Sequence, residues 1–490
     1  MPNTVSTASS TAHGAHRLRH AFFISAAAAM GGFLFGYDSA VINGAVEGIR
    51  GKFDIGSATL GTVVGIALLG AAAGAMAAGR LADRIGRPRV MQIAALFFAI
   101  SGIGSMLPFT VWDLSVWRAL GGVAIGMASV IGPAYIAEVA PAEYRGRLGS
   151  LQQAAIVLGI AISQLVNFAI LGLASGDQRG PLLGLEAWQI MLGVEVLPAL
   201  VYGFVALRIP ESPRYLVARG RIADAKLVLS DIEPAGTDLG AELSRIDTQM
   251  HSDHKPRLRD LLGGRAVLLP IVWIGIGLAV FQQMSGINVV FYYSATLWQS
   301  VGIDASSSFL YSFTSSIINI VGTIIAILLI DRIGRKRLSV IGSVGMAISL
   351  GVAAWAFSYL VGQGDDAFLP NPQATIALLA VHSFVLFFAA TWGVVLWVLL
   401  GEMFPNRIRA AALGLAGSVV WITNWLITVT FPSMAEWSLS ASYFIFAAFA
   451  ALSAPFVILF LRETKGKPLE DLGSARSVHL HLHHHDQNQS

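Results

Sequence analysis

The sequence is poor in the residues that a water-soluble protein needs. It contains no cysteine, which excludes disulfide bonds and thiolate chemistry. Only 12% of its residues are charged, whereas soluble globular proteins carry about 25%. With 55% hydrophobic residues, the chain has too little polar surface to face water on all sides. The low share of charged residues and the high share of hydrophobic residues exclude a soluble globular protein.

The usual signals of enzyme chemistry are also missing. No Ser/His/Asp set, phosphate-binding loop or metal-spaced cluster stands in or near the apolar stretches, and His382 is the only histidine within them. A lone histidine there more often packs or bonds to water than binds a ligand. Histidines 479, 481, 483, 484 and 485 belong to a polar tail, which we expect to be solvated. We therefore expect no enzymatic activity, no cofactor and no metal site.

Long apolar runs occupy most of the chain. A helix needs about 20 apolar residues to cross a bilayer, and the sequence contains twelve runs of that kind, here named segments one to twelve. They predict an all-α membrane protein with the lipid bilayer as its surroundings. Their approximate bounds are 21–46, 57–78, 89–108, 114–139, 148–173, 188–208, 267–297, 307–330, 338–361, 374–403, 411–433 and 439–461.

Two similar basic phrases divide these segments into halves. GRLADRIGRPR (Gly79 to Arg89) follows segment two, and LLIDRIGRKR (Leu328 to Arg337) lies at the end of segment eight. A loop that recurs about half a chain later indicates duplicated membrane halves. Secondary transporters work by rocking two such halves against each other. We predict two pseudo-symmetric six-helix halves, and a carrier rather than an enzyme.

The distribution of basic residues predicts the orientation in the membrane. Apart from Arg118 inside segment four, nearly all lysines and arginines lie in one set of loops and in the tails. We therefore place both termini in the cytoplasm of a plasma (inner) membrane protein. The basic loops beside the membrane explain the pI near 9.1, so we expect no nucleic-acid partner. The opposite loops contain only Arg50, Lys52 and Arg179 and lie at 47–56, 109–113, 174–187, 298–306, 362–373 and 434–438.

The pattern divides the chain into five regions. The central charged stretch contains RIADAKLVLSDI (Arg221 to Ile232), whose apolar residues recur at helical spacing. We expect it to form short amphipathic helices on the cytoplasmic face, with a partly ordered linker as the alternative. The regions are a cytoplasmic tail, a first half, the cytoplasmic helical insert, a second half and a His-rich cytoplasmic tail, at 1–20, 21–208, 209–266, 267–461 and 462–490.

Acidic and basic groups repeat at the cytoplasmic ends of both halves. EVAPAEYRGR (Glu138 to Arg147) corresponds to EMFPNRIRA (Glu402 to Ala410), and PESPR to RETKGKP. We predict that groups from both halves form a charged latch, which closes the inner side and opens in each cycle. Interfacial anchoring is the alternative for any single pair. The predicted latch residues are Asp83, Arg84, Arg87, Glu138, Arg145, Glu211, Asp331, Arg332, Arg335, Glu402 and Arg409.

Several motifs resemble the sugar porter branch of the major facilitator superfamily. The D-R-x-G-R loops mark the superfamily, and FGYDSAVING, PESPR, QQMSGINVVFYYS and ETKG mark the branch. The match covers the chain except its two tails. The resemblance implies twelve helices in two bundles, a central sugar site and alternating access. We therefore expect a secondary transporter that imports a neutral hexose or pentose.

Segment seven supplies three amides, Gln282, Gln283 and Asn288. A sugar has many hydroxyls but no net charge, so amides that both donate and accept hydrogen bonds suit it. A regular helix would direct Asn288 away from Gln283, but a break near Gly286 would let the three converge. Buried amides are costly without partners. We expect this cluster to bind sugar, with amides that only join helices as the alternative.

The resemblance assigns further residues to the sugar site. It implies that polar and aromatic groups from several segments surround the sugar, and that Tyr292 and Tyr293 gate the outer end. For a single tryptophan, packing against lipid or protein would be the more common role. The implied sugar-facing residues are Gln153, Asn319, Trp397, Trp421 and Phe35.

The sequence departs from the family pattern at three positions. Val394 replaces the usual proline of segment ten, so we expect a weaker kink there or reliance on Gly393 alone. Val420 replaces an amide before Trp421, which removes one expected hydroxyl contact. Arg462 replaces the proline before ETKG, a small change at an interface. The sugar preference of relatives therefore does not carry over.

Three charged residues lie inside apolar segments: Asp38, Arg118 and Glu195. Each costs about 2.5–3.5 kcal/mol at a helix centre, so such residues usually have a function. The resemblance places them together beside the sugar site. We hypothesise that Asp38 binds a proton from outside and loses Arg118, and that the proton leaves inside after the sugar has loaded. A static ion pair is the alternative.

Other readings of the same sequence keep the fold and change the function. A uniporter would carry sugar without protons, and a polyol carrier would use a similar site. A sugar receptor would bind without moving its ligand, but such sensors usually have long signalling extensions. The sugar and protons are the expected partners, and we expect the carrier to function as a monomer.

Overall fold

The computed structural model describes residues 5–141, 144–233, 237–252, 258–263, 267–362, 366–405 and 408–463. The first half is a helical bundle with a small β-hairpin in the loop before segment six. Its elements are α1 (Val5–Phe53), α2 (Ser57–Ile85), α3 (Arg87–Met106), α4 (Val111–Val139), α5 (Arg145–Leu173), β1 (Pro181–Leu182), β2 (Leu185–Glu186), α6 (Ala187–Gly193) and α7 (Val196–Ala206).

The second half repeats this bundle, with breaks inside segments seven and ten. Three short helices form the insert between the halves: α8 (Pro213–Ala218), α9 (Ile222–Ile232) and α10 (Leu239–Ser252). The elements that follow are a 3₁₀ turn (Leu258–Leu261), α11 (Pro270–Met284), α12 (Ile287–Tyr292), α13 (Ser294–Ser300), α14 (Ala305–Ile333), α15 (Arg335–Phe357), α16 (Gln373–Ala390), α17 (Trp392–Met403) and α18 (Arg409–Phe460).

The helices give the predicted number of crossings. Within the described residues, 11 stretches are long and apolar enough to span a membrane. The last of them, within the 52-residue α18, contains a non-helical residue, Ser438, and is two helices joined at a kink. Segments eleven and twelve lie on either side of that kink, so the twelve-segment prediction is confirmed. The first helix extends back to Val5, although its membrane-spanning part begins at Arg19.

Glycine allows close packing in the first half. A Cβ on Gly70 would lie 2.2 Å from the Ala119 carbonyl oxygen, and one on Gly122 would lie 2.0 Å from that of Ala67. Helices α2 and α4 therefore touch through their backbones, the contact that small residues permit in membrane bundles. Arg118 lies on α4, in this closely packed pair.

The insert packs on the first half at its inner end. Leu229 and Ile232 of α9 are buried in the same apolar cluster as Ile24 of α1. Ala225 is also buried, whereas Ile222 is 46% exposed. The predicted amphipathic helix over Arg221 to Ile232 is thus confirmed as α9, docked by one face.

The two halves meet at the ends predicted to face outward. Val41 and Leu60 of the first half belong to one buried cluster with Leu297 and Trp298 of the second half. A Cβ on Gly61 would lie only 2.2 Å from the Val429 carbonyl oxygen, so α2 and α18 are in backbone contact. The structure is therefore closed at these ends.

Candidate functional site

Segment seven is broken where the sequence analysis expected it. α11 ends at Met284, and Gly286 has a positive φ of 81° before α12 begins. Glycine adopts this left-handed conformation without the steric cost of a Cβ. The chain therefore changes direction between Gln283 and Asn288.

The break brings the three predicted amides together. Asn288 Nδ2 donates to Gln283 Oε1 at 2.6 Å, and Gln283 Nε2 donates to Gln282 Oε1 at 3.1 Å. Gln282 Nε2 donates to the Trp392 carbonyl of segment ten at 3.1 Å. Gln282 and Gln283 are buried, whereas Asn288 is half-buried. The predicted convergence is confirmed, and Asn288 lies at its accessible end.

Two predicted aromatic residues meet across the halves. The rings of Phe35 on α1 and Trp421 on α18 have centroids 5.7 Å apart, at an interplanar angle of 45°. Both residues are partly buried. Such a pair offers apolar ring surface to the C–H faces of a sugar. Gln153 on α5 is half-buried, and Asn319 on α14 is buried.

Segment ten presents a tryptophan that the sequence analysis missed. Trp392 is buried, its carbonyl accepts from Gln282, and its indole N–H donates to the Ser339 carbonyl at 3.0 Å. Trp397, the predicted sugar contact, is 46% exposed. The described hydrogen bonds thus connect Trp392, rather than Trp397, to the amide cluster. The break itself falls at Thr391, so segment ten bends without the proline that Val394 replaces.

Segment eleven adds a buried amide that was also missed. Asn424 Nδ2 donates to Tyr292 Oη at 3.4 Å, and Thr428 Oγ1 donates to Asn424 Oδ1 at 3.2 Å. Tyr293 Oη donates to the Thr428 carbonyl at 2.8 Å. The two tyrosines predicted at the outer gate therefore bond to segment eleven. The signal in the sequence was the asparagine one helical turn after Trp421.

The three intramembrane charges lie together in the first half. Arg118 Nη1 donates to Asp38 Oδ1, and Glu195 interacts electrostatically with both groups. Asp38 is fully buried, and Arg118 and Glu195 are each 2% exposed. Asp38 Oδ2 and Glu195 Oε1 are buried without hydrogen-bond partners among the described residues. The cluster thus contains carboxylate oxygens to which a proton can add.

The charges predicted at the cytoplasmic end of the first half form a compact cluster. Arg87 donates two hydrogen bonds to Glu138, each of 3.0 Å, and lies 3.4 Å from Asp83. The backbone N–H of Arg87, at the start of α3, donates to Glu211 at 3.0 Å. Burial raises the pKa of Glu211 above its ordinary value. The hydrogen bonds that Glu211 accepts from backbone N–H groups lower the pKa, but by less.

The second half repeats this arrangement. Arg335 donates to Glu402 at 3.1 and 2.8 Å and pairs with Asp331 at 2.8 Å. Its backbone N–H donates to Glu463, a residue outside the predicted set, at 2.9 Å. Each ion pair described here lies within one half, whereas the predicted latch combined groups from both halves. The repeated sequence predicted the pairs, but not that each half pairs its own charges.

The remaining predicted latch residues make other contacts or have side chains outside the described residues. Arg409 Nε donates to the Phe404 carbonyl at 3.1 Å, within the second half. The Arg84 carbonyl accepts from Arg219 Nη2 at 2.5 Å, which ties the last turn of α2 to the insert. Arg332 has an interaction partner. The side chain of Arg145 lies outside the described residues.

Comparison with known proteins decides the family. Residues 24–475 match the family described as "Sugar (and other) transporter". The chain belongs to this family. A glucose transport protein of Synechocystis sp. is 48% identical over 466 residues, which cover 95% of this chain and 99% of the relative. The D-xylose-proton symporter of Escherichia coli K12 is 36% identical over 487 residues, which cover 92% and 94%.

Solved structures agree with the fold. The xylose transporter of E. coli in an inward-open conformation has a TM-score of 0.79 at 34% identity, covering 92% of this chain and 99% of that chain. A major facilitator proton:xylose symporter bound to 6-bromo-6-deoxy-D-glucose has a TM-score of 0.73 at 35% identity, covering 92% and 98%. The predicted sugar porter family and its two-bundle, twelve-helix membrane fold are confirmed.

Proposed function

We propose that this sugar porter imports a neutral hexose or pentose by alternating access, coupled to the entry of a proton. The observation that carries the proposal is the amide cluster at the broken centre of segment seven. A broken helix places polar groups at membrane depth, and transporter substrate sites are built this way. The names of the relatives, which include glucose and D-xylose carriers, support a monosaccharide.

The chemistry of the site suits a neutral polyhydroxylated ligand. Asn288, Gln283 and Gln153 would donate to and accept from hydroxyls, and the paired rings of Phe35 and Trp421 would cover an apolar sugar face. The intramembrane charges of the first half pair with one another. The amides of the cluster have no net charge, so an ionic ligand would find no opposite charge there. We propose that Gln282, Tyr293, Asn319 and Trp397 also contact the sugar.

Replacing Asn288 by alanine tests the sugar site. Asn288 has the half-buried amide of the cluster, so Asn288→Ala should reduce sugar affinity about tenfold or more, because one good hydrogen bond to a ligand is worth about that factor. Binding to purified protein is measured by calorimetry with glucose and xylose. Gln299→Ala is the matched control, since among the described residues the Gln299 side-chain amide on α13 bonds only to the Ala295 carbonyl of its own helix.

The two variants separate a sugar site from mere packing. If Asn288→Ala binds sugar as the parent does, the amide cluster does not recognise the ligand and the proposed site is wrong. If both variants lose binding equally, any disturbance of segment seven suffices, which also contradicts specific recognition by Asn288.

Proton coupling rests on the buried charge cluster. The pairing of Asp38 with Arg118, in a structure similar to an inward-open carrier, supports the order of events. Loss of the proton to the inner side leaves an ionised Asp38, which Arg118 then stabilises. Binding of a proton from outside would free Arg118 and start the next cycle. Glu195 would share or pass the proton, since it interacts with both groups.

Each of the repeated cytoplasmic clusters would hold helices together within its own half. Arg87 joins the start of α3 to the end of α4, and Arg335 joins the start of α15 to the end of α17. We propose that these bonds hold each half rigid while it moves. The basic cytoplasmic loops support a plasma (inner) membrane location with both termini inside. We assign the chain a transport function without an enzymatic activity, and we propose that it works as a monomer.

A further inference from the structure

The three amides of segment seven form a hydrogen-bonded chain with a single direction. Asn288 Nδ2 donates to Gln283 Oε1, and Gln283 Nε2 donates to Gln282 Oε1. Gln282 Nε2 then donates to the Trp392 carbonyl of segment ten. Along this chain, each amide turns its nitrogen toward Trp392 and its oxygen away from it. A backbone carbonyl can accept a hydrogen bond but cannot donate one. The last bond thus sets the direction of the other two.

Reversal of the chain would bring two acceptors together. If the Gln282 amide turned over, its oxygen would face the Trp392 carbonyl oxygen, and the other two amides would have to turn over with it. Gln282 and Gln283 are only 4% and 7% exposed, so water cannot replace a lost partner. A buried polar group without a partner is costly. The chain therefore has one stable direction.

Trp392 is itself held in place by buried serines of two other segments. Its indole N–H donates to the Ser339 carbonyl at 3.0 Å, and Nε1 lies 3.1 Å from Ser343 Oγ, both on segment nine. Ser453 Oγ, on segment twelve, donates to Ser343 Oγ at 2.7 Å. Trp392 and the three serines are all buried. The Trp392 carbonyl is thus a fixed acceptor, tied to segments nine and twelve.

The direction of the chain decides what its accessible end offers to a ligand. Asn288 donates one N–H to Gln283, and no described residue donates to Asn288 Oδ1. Asn288 is half-buried, so this oxygen can face a sugar. An amide oxygen accepts but does not donate. The sugar hydroxyl that meets it must therefore be the donor.

We propose that Trp392 is a positioning residue of the sugar site: its carbonyl fixes the direction of the amide chain, so that Asn288 Oδ1 selects a hydroxyl that donates. Trp392 acts through Gln282 and does not touch the sugar. A substituent that accepts but cannot donate, such as fluorine, is rejected at this position. This inference rests on the proposed sugar-import function.

Fluorinated sugars test this selection, because fluorine can take the place of a hydroxyl but cannot donate a hydrogen bond. Binding of glucose and xylose to purified protein is compared by calorimetry with binding of analogues that each have one hydroxyl replaced by fluorine. At one position, the analogue should bind about tenfold or more weakly than the sugar, because it lacks the hydrogen bond to Asn288. Asn288→Ala identifies that position, since its loss should remove the discrimination there.

Two variants remove the anchor. Gln282→Leu frees the other two amides to turn over and offer N–H to fluorine, so the ratio of the two dissociation constants at that position should fall to about threefold or less. Trp392→Phe removes the indole N–H that fixes the carbonyl, and it should lower the ratio at least about twofold. Ser343→Ala, which removes the hydroxyl between Trp392 and Ser453, makes the same test if Trp392→Phe does not fold.

A double variant separates positioning from general loosening. Because Trp392 acts through Gln282, Gln282→Leu/Trp392→Phe should have the same ratio as Gln282→Leu alone. Trp298→Phe is the matched control. Trp298 is also buried on segment seven, but it packs against the rings of Tyr311 and Phe357, so its loss should leave the ratio unchanged. Damage to the fold alone lowers the affinity for sugar and analogue together and does not change their ratio.

Four results would overturn the positioning role of Trp392. No analogue could be discriminated, Gln282→Leu could keep the parent ratio, Trp392→Phe could act equally with and without Gln282, or Trp298→Phe could lower the ratio as much. Each of these results leaves sugar binding by the parent intact. A parent that binds neither glucose nor xylose would instead contradict the sugar site itself, and the positioning role with it.

Discussion

Asp38 has no exposed surface, yet it is an acid in an apolar helix, paired with Arg118. We predict that Asp38→Asn abolishes accumulation of sugar against its gradient but preserves sugar exchange across the membrane. The amide cannot bind and release a proton, whereas the amides proposed to bind sugar lie on segments five, seven and eight. Uptake with an imposed proton gradient and counterflow without one are compared in proteoliposomes.

Asp231→Asn is the matched control for this substitution. Asp231 is exposed on α9 of the insert, so its loss should change neither measurement. Unchanged accumulation in Asp38→Asn would show that Asp38 does not couple the proton, and the static ion pair would then be the better description.

Some site residues are predictable from the sequence, and others are not. It found Gln282, Gln283 and Asn288 because three amides in an apolar run have few structural explanations. It missed Trp392, because the backbone carbonyl of Trp392 accepts a hydrogen bond from Gln282, which lies 110 residues earlier in the chain. It also missed Asn43 of segment one, whose Oδ1 accepts from the Ala295 N–H beside the break at Tyr293. Each is an ordinary polar residue until the fold brings it to a helix break.

Among the helices, the break at Gly286 shapes the proposed sugar site. Alanine there would have to adopt a positive φ of 81°, and its Cβ would lie 2.6 Å from Phe446 Cδ2. We predict that Gly286→Ala lowers the melting temperature and abolishes detectable sugar binding, because the backbone strain alone costs about 1–2 kcal/mol. Thermal unfolding and calorimetry check both effects.

Gly417→Ala provides the matched control on α18. Apart from its own helical turn, no atom of the described residues lies within 4 Å of a Cβ at Gly417, and the residue is helical. Alanine there should leave binding intact and leave stability unchanged or slightly increased, since alanine is the better helix former. Retained sugar binding in Gly286→Ala would mean that the break does not build the site.

The helices differ in how far the sequence predicts them. Segment lengths and order follow from hydrophobic runs, and the break near Gly286 follows from a glycine next to three amides. The break at Tyr293 has no such signal, since tyrosine is neither a turn former nor a helix breaker. The break at Thr391 likewise occurs without the proline that Val394 replaces. Both depend on partners in other segments, which local sequence does not specify.

The arrangement of the complete carrier was predictable from duplication, but the pairing of its charges was not. Two copies of the D-R-x-G-R loop indicate two halves, and the fold has them. Identical motifs cannot reveal whether Arg87 pairs with Glu138 of its own half or with Glu402 of the other. Closure at the ends predicted to face outward depends on contacts such as Gly61 with Val429, which become visible only in three dimensions.

The most direct test of sugar–proton import is made on purified protein in liposomes without a membrane potential. Glucose or xylose is added outside, and sugar uptake and external pH are recorded together, with and without an imposed acid-outside gradient. The account predicts that sugar entry makes the outside more alkaline and that the gradient drives accumulation above equilibrium. Sugar that equilibrates without a pH change, whatever the gradient, would contradict it.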